Sequence, residues 1–464
     1  MSLLNTEACP LRVAVVGAGP SGFYAVDHLF KSSNFVSVDL FDALPTPYGL
    51  LRGGVAPDHQ KMKSVAKYYE RVATKNAQIF NFFGNIEVGK DITVDELKSF
   101  YDAIIFSYGS SGDRLTGLPG ENLQNIHSAR EFVAWYNGHP DFVDLSFDLS
   151  CENVVVIGQG NVAIDVARIL AKTPDELKET DIPEPVLDTL AQSQVRNIFL
   201  LGRRSPVQVA FTELEIKELG QLADCAVNVD PADLVLTASN ESELRSEKNI
   251  KSQKNFAVLE ELSKRSFAGK SKTIHLKFFH NPVSFSGTST VSAIRCEKVK
   301  LEGEPFRQHI VKTGEAVDVN GGLVFRSIGY KGLEMPGLPF DHKRCIIPND
   351  KGQVIGSDGQ QIPGIFTSGW IKRGPSGVIG TNKPCSTETV TTLLSNISSL
   401  PLAKNRDAKA IFSYLDGKGL SYVTFDDWLK IDSLEVSAGQ KLGKPREKFL
   451  HRHEFFSVLS KDYV

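Results

Sequence analysis

Two glycine-rich turns in this 464-residue chain have the composition and setting needed to hold a diphosphate. The first reads Gly17-Ala18-Gly19-Pro20-Ser21-Gly22 and directly follows the apolar run Leu11 to Val16. In such a turn the first glycine permits the bend, the second lets the backbone approach a pyrophosphate, and the third lets a following helix pack on the strand. The N-terminus of that helix then faces the phosphate charge. A second apolar run, Phe35 to Phe41, delivers Asp42, 25 residues after the first glycine. A carboxylate there accepts hydrogen bonds from a ribose 2'-hydroxyl and repels a 2'-phosphate, so this cradle suits FAD or NAD and disfavours NADP.

The second turn, Gly158-Gln159-Gly160-Asn161-Val162-Ala163, comes after Asn153 to Ile157 and has alanine in place of the third glycine. After an interruption from Lys172 to Gln194, the run Val195 to Leu201 ends in Gly202-Arg203-Arg204. Two guanidinium forks stand where the first cradle has a carboxylate. They suit a 2'-phosphate, because each makes bidentate charge-assisted bonds. The second nucleotide is therefore expected to be NADPH, and the economical partner in the first cradle is FAD. Such a pair performs hydride transfer to a flavin.

The cysteines narrow the destination of electrons beyond the flavin. The six lie at 9, 151, 225, 296, 345 and 385, so the closest two are 40 residues apart. A disulfide reductase of this kind needs a redox-active pair close in sequence, and none exists. The same spacing writes no zinc or iron–sulfur ligand cluster, so no metal site is expected. Their sparseness favours a reducing compartment. A flavin monooxygenase, an electron splitter feeding single electrons to a protein carrier, and a redox-sensing module that binds both nucleotides without turnover all stay open on the cradles alone.

These residues require an α/β fold: two Rossmann-like nucleotide-binding domains built on three-layer sheets. The strand Ala103 to Ser107 and a returning strand, Gly364 to Ser368, both read as parts of the first sheet. The NADPH domain is then an insertion, with residues 1–113 and 338–464 forming the FAD domain and its C-terminal arm, and residues 114–337 forming the NADPH domain. A composition of 41% hydrophobic and 23% charged residues is ordinary for globular proteins. No run approaches the roughly 18 to 20 apolar residues a bilayer-spanning helix needs, so an integral membrane protein is not expected. Residues 1–11 contain Glu7 and no Arg, and are too short and too poor in positive charge to read as a secretory or transit segment.

The net charge of -3 is unevenly spread: Arg245 to Lys277 holds nine Lys or Arg against three Glu, a local +6. A basic face of this kind steers an acidic protein carrier. Nucleic acid is not expected, since no recognised binding motif accompanies the charge.

Four longer stretches carry a resemblance. They are Pro47-Tyr48-Gly49-Leu50-Leu51-Arg52-Gly53-Gly54-Val55-Ala56-Pro57-Asp58-His59, the turn from Gly158 to Val162, the segment Gly202 to Thr212, and Gly369 to Ile379. Together they resemble the adrenodoxin reductase family, the NADPH:ferredoxin reductases of mitochondrial type, from Arg12 to about Lys448. The stretch Gly443 to Lys448 is similar to the eukaryotic branch. The resemblance implies that Ala18, Asp42, Leu50 and Val88 surround the FAD, with Trp370, Gly377, Val378 and Ile379 closing over the isoalloxazine. It implies that Gln159, Gly160, Asn161 and Val162 hold the NADPH diphosphate and Arg203 and Arg204 the 2'-phosphate. Glu215 and Gly377 would lie by the nicotinamide and His59 near the flavin, with His59 and Glu215 orienting or handling protons.

The resemblance further implies a [2Fe-2S] ferredoxin, adrenodoxin-like, as electron acceptor, serving mitochondrial P450 or iron–sulfur and haem pathways. Docking would fall on the NADPH domain, with Lys248, Lys251 and Lys254 as candidates. A monomer in the mitochondrial matrix, or at the matrix side of the inner membrane, is implied; a bacterial source would make it cytoplasmic. The residues agree with these placements. Trp370 comes just after a strand at the carboxyl edge of the sheet, where open parallel sheets bind ligands, and an indole there covers a ring face. Gly374 to Gly377 offers small side chains where a flat ring must approach closely. Glu215 falls on a charged segment, Thr212 to Gln221, that reads as a helix.

Overall fold

A computed structural model describes residues 4–266 and 268–462. They divide into two compact units. The first runs up to Val55, resumes over His59–Asp113 and returns from Gly329 onward; the second comprises Ala56–Asp58 and Arg114–Ile328. The return comes earlier than the 337/338 junction expected from the glycines and prolines. The cause is a short antiparallel ladder: Tyr330 and Lys331 pair with Asp113 and Gly112, which binds the returning chain to the segment by which it left. Ala56–Asp58 belong to the second unit although they lie within the Pro47–His59 stretch. Ala56 is fully buried in that unit's core and Asp58 is ion-paired there.

In the first unit five parallel strands run in the order Gln361–Thr367, Ala103–Phe106, Leu11–Val16, Val36–Asp42, Phe80–Gly84. Asn349–Asp350 and Gln353–Ile355 extend the sheet antiparallel at one edge. Leu11–Val16 is continuously apolar because both faces are covered: Val13 and Val15 enter one core, Ala14 and Val16 the other. Helices Pro20–Ser32 and Asn382–Ser395 contribute Phe23, Val26, Val390 and Leu393 to the first of these cores. This layering leaves the carboxyl ends of the central strands, where Gly17 and Asp42 sit, at one edge.

The long helix Phe425–Lys441, in the C-terminal part of the chain, braces the Pro47–Val55 segment. Glu435, with a side chain 0% exposed, accepts from Arg52 Nη1 at 2.8 Å and Nη2 at 2.5 Å, from Arg446 Nη1 at 3.0 Å and from the Phe449 N–H at 3.1 Å. The Arg52 guanidinium also lies over the Trp428 ring, whose Nε1 reaches Tyr48 Oη. Burial by itself raises the Glu435 carboxyl, but the two guanidinium groups overcome it and hold the group below its ordinary value of 4.5. Glu435→Ala takes the carboxylate from the largely buried Arg52 guanidinium, while Arg446 keeps Asp432 at 2.6 Å, and is expected to cost about 3–5 kcal/mol. A depressed folded pKa means stability present above the ordinary value and lost as pH falls through the folded one. The gap between wild type and variant in urea unfolding should therefore be steady from neutral pH down to 4.5 and close in stronger acid.

The second unit is built on six parallel strands in the order Ile126–Ser128, Leu323–Arg326, Asn153–Ile157, Asn197–Leu201, Lys272–Lys277, Cys225–Val229. Helices cover one face. A three-stranded antiparallel sheet, His280–Gly287, Val291–Glu302 and His309–Asn320, supplies the other layer. Val154 and Val156 point to the helical core, while Val155 and Ile157 meet Phe285, Ile294, Cys296 and Val319 of the outer sheet. The interruption from Lys172 to Gln194 folds into two short helices, Pro174–Leu177 and Glu184–Ala191.

Candidate functional site

The glycines of the first cradle serve two ends, close packing and open backbone. A Cβ on Gly17, at φ 104°, would stand 2.6 Å from Tyr108 Cα, and one on Gly22 would stand 2.1 Å from Gly17 O. A Cβ on Gly19 would meet nothing within 4 Å. Gly17 and Gly22 are therefore demanded by the protein itself, whereas Gly19 is bare backbone at the start of helix Pro20–Ser32 with room for a ligand. Gly49 brings the Pro47–Leu50 segment against it, since a Cβ there would lie 2.9 Å from Gly19 Cα. Gly19→Val is expected to leave the apoprotein's stability within about 0.5 kcal/mol. FAD affinity should nonetheless fall by roughly tenfold or more, read by titrating flavin into apoprotein.

Asp42 closes this cradle. Its Oδ2 accepts from Ala18 N–H at 2.7 Å and its Oδ1 from Leu44 N–H at 2.9 Å. Burial pushes its carboxyl up to about 6 against the pull of those two donors. Each oxygen keeps a further lone pair for a ribose hydroxyl. Ala18, fully buried with its N–H committed to Asp42, offers only shape. Leu50 is 43% exposed at the start of a one-turn helix, an apolar side chain with an open face. Val88, 6% exposed, lies in the core with Phe83, Ile86 and Ile92.

Beyond the returning strand, Trp370 donates Nε1–H to Ser376 O at 3.2 Å and stacks on Tyr330 at 5.7 Å between ring centroids. Tyr330 escaped the sequence reading because its partner is 40 residues away and nothing in its own segment marks it. Gly377, at φ 82°, sits where a Cβ would be 2.6 Å from Thr381 Oγ1. Val378 is exposed, Ile379 packs partly on the core, and Gly380 faces open space. Small, apolar and open, this run suits a flat ring. His59, half-buried, precedes the one-turn helix Gln60–Lys63, and its carbonyl accepts from Met62 and Lys63 N–H.

In the second unit a Cβ on Gly158 would meet Ser327 O at 2.2 Å, while Gly160 has only Ala210 Cβ at 4.0 Å. Again the first glycine packs and the second stays open, before helix Asn161–Ala171. The Gln159 side chain is committed to the protein itself. Its Nε2 bonds Leu200 O and Lys277 O, both at 3.3 Å, and its amide fills the space above Gly202. Carbonyls at two neighbouring strand ends capture the amide, and the Gln159 carbonyl accepts from the Ala210 and Phe211 N–H groups. Asn161 Oδ1 accepts the Thr212 N–H at 2.9 Å. Val162 is partly buried against the helical core. Arg203 and Arg204 are exposed at the end of strand Asn197–Leu201.

Glu215 lies on helix Glu213–Leu219 and is only 5% exposed. Its Oε2 accepts from Arg168 Nη1 at 3.2 Å. Arg168, 1% exposed, also donates Nε and Nη2 to Asp58 at 2.8 and 3.0 Å and reaches Asp165 at 2.7 Å. This buried cation is a residue the sequence reading missed. Its signal was an arginine within a largely apolar helix, three residues after Asp165 and so on the same face. Among the docking candidates, Lys248 is exposed, Lys251 Nζ donates to Ala210 O at 2.7 Å, and Lys254 lies 3.6 Å from Glu213. All six cysteines are free. Among the described residues no helix is long and apolar enough to cross a membrane.

Residues 11–200 match the pyridine nucleotide-disulphide oxidoreductase family. The mitochondrial NADPH:adrenodoxin oxidoreductase of Arabidopsis thaliana is 39% identical, over 96% of this chain and 95% of that protein. That of Salvelinus fontinalis is 41% identical over 98% and 92%. The NADPH-ferredoxin reductase FprA of Mycobacterium leprae is 39% identical over 96% and 98%. The structure of Mycobacterium tuberculosis FprA in complex with NADPH superposes with a TM-score of 0.89 at 38% identity, covering 96% of this chain and 98% of that one. With two phosphate cradles of opposite charge and full-length relatives of one kind, the chain belongs to the NADPH:adrenodoxin oxidoreductase and NADPH-ferredoxin reductase family.

Proposed function

We propose that this protein is an FAD-dependent reductase that draws electrons from NADPH and passes them singly to a [2Fe-2S] ferredoxin. The observation that carries the reading is the contrast between cradles: Asp42 ends the second strand of the first unit, and Arg203 and Arg204 follow just beyond the end of the corresponding strand of the second. When bound, the FAD supplies hydride acceptance and one-electron release. The chain's own residues bind and orient. Gly19 and the helix N-terminus behind it receive the FAD diphosphate, with Asp42 accepting from the ribose. Ala18, Leu50, Val88, Trp370 and Gly377 to Ile379 shape the flavin's surroundings. The Trp370–Tyr330 stack supports this by offering an aromatic wall that excludes water.

On the second unit Gly160, Asn161 and Val162 present helix N-terminal N–H groups to the NADPH diphosphate, and the two arginines take its 2'-phosphate. Glu215, paired with Arg168 at 3.2 Å, is a fixed acceptor suited to orienting the nicotinamide end. His59 is assigned a proton-handling or orienting role in the first unit. The ferredoxin docks on the basic face bearing Lys248, Lys251 and Lys254. Lys251 is tethered through the Ala210 carbonyl, which holds its charge in place, while Lys254 stands beside Glu213. Similarity to mitochondrial proteins favours the mitochondrial matrix and its P450 or iron–sulfur and haem pathways, while FprA proteins of mycobacteria stand at similar identity.

Rapid bleaching of the flavin absorbance by NADPH, then cytochrome c reduction only when a [2Fe-2S] ferredoxin is added, is the expected result. Bleaching with no effect of ferredoxin would overturn the electron-splitting assignment, and NADPH oxidation coupled to hydroxylation of an added substrate would point to a monooxygenase.

A further inference from the structure

Arg204 is aimed by a network whose parts lie on three separate segments. Its Nη1 donates to Gln208 Oε1 and to the Gln308 carbonyl, each at 3.4 Å. Gln208 Nε2 in turn donates to Gln308 Oε1 at 2.7 Å and to Glu243 Oε2 at 3.1 Å. Glu243, 5% exposed on helix Ala238–Arg245, also accepts the Phe306 N–H at 2.9 Å. That contact anchors the turn between the second and third strands of the outer sheet, where Phe306 takes a φ of 65° unusual for so bulky a residue.

From this geometry we infer that Gln208, locked by Glu243 and Gln308, is the positioning residue that sets the preference for a 2'-phosphorylated nucleotide over its 2'-hydroxyl counterpart. The inference rests on the reading that Arg204 meets the 2'-phosphate. Glu243 and Gln308 Oε1 are acceptors, so the amide nitrogen of Gln208 must face them and its oxygen must face Arg204. Both acceptors of Arg204 take the same nitrogen, Nη1, which leaves the Nε–Nη2 edge as the fork for two phosphate oxygens. An exposed arginine otherwise gives up rotamer freedom when it binds; one already held loses less for each bond formed. An amide suits this post because a carboxylate would neutralise the guanidinium and compete with the phosphate.

The test is calorimetric titration of the FAD-loaded protein with NADP+ and with NAD+. Gln208→Leu is expected to weaken NADP+ binding about five- to tenfold, the worth of roughly one hydrogen bond of ordinary strength, while NAD+ binding stays within about twofold. Gln208→Glu should weaken NADP+ further. An unchanged NADP+/NAD+ ratio in Gln208→Leu, or an equal loss for both nucleotides, would overturn the inference. Should Gln208→Leu fail to fold, Gln308→Ser removes the Oε1 anchor and keeps the carbonyl; the ratio should fall about two- to fivefold, and an unmoved ratio is fatal. Arg204→Leu separates the two levels. If it leaves the ratio intact, the placement of NADPH is wrong. If it lowers the ratio while Gln208→Leu does not, only the role of Gln208 fails.

Discussion

Replacing Arg203 and Arg204 together by leucine is expected to lower the preference for NADPH over NADH by roughly 10²- to 10³-fold in kcat/KM. Hydrogen bonds to charged groups contribute about 1.5–3 kcal/mol each, and two such bonds at the lower end, one from each exposed arginine, amount to about 3–4 kcal/mol and account for that range. Both side chains are exposed, and the strand Asn197–Leu201 that presents them has Ile198 and Leu200 fully buried, so the substitution leaves the unit's core untouched. The loss should appear for NADPH alone, with NADH kinetics unchanged or slightly improved, because no cation is needed beside a neutral ribose. Steady-state kinetics with both nucleotides, using an artificial acceptor, decides the matter. A preference that survives would mean that the second nucleotide has been misplaced.

The second large effect is expected at Arg168. Burial opposes its charge, but Asp165, Asp58 and Glu215 more than compensate and hold the guanidinium well above its ordinary pKa. Arg168→Leu would leave three largely buried carboxylates without their common partner, at a cost of about 3–5 kcal/mol. For a unit of this size that corresponds to roughly a 10 °C fall in its melting temperature. Arg168→Lys should recover only part of the loss, since an ammonium has no planar fork with which to bridge Asp58 and Glu215. Lys172, 3.0 Å from Asp58, softens the blow at that carboxylate and not at Glu215. Melting within a degree of wild type in both variants would show that the cluster carries no net stabilisation.

Much of the nucleotide chemistry was legible because phosphate recognition at these turns is local. The bend at Gly17 or Gly158, the bare backbone at Gly19 or Gly160, and the helix that begins after them occupy a dozen consecutive residues, so spacing alone exposes them. The charge at the end of the next strand is legible for the same reason. The alternation of buried positions in Val154 to Ile157 was visible as an apolar run, but not what covered its second face. An antiparallel sheet does so, formed by segments more than 100 residues downstream of that strand. Side-chain allocation was also hidden. Gln159 sits in a phosphate-binding turn by sequence, yet its amide is captured by Leu200 and Lys277 carbonyls. Val88 is turned into the core.

The amino-acid order by itself determined the two cradles, the sign of charge at each ribose position and the absence of a cysteine pair, since each depends on neighbours within about one supersecondary unit. Only the tertiary structure decided which side chains hold those groups in place. Gln308 reaches Arg204 across 104 positions, Arg168 meets Asp58 across 110, and Glu435 grips Arg52 across 383. Strand order and the path of the returning chain bring these partners together, and no periodicity in a segment encodes which distant segment will lie beside it.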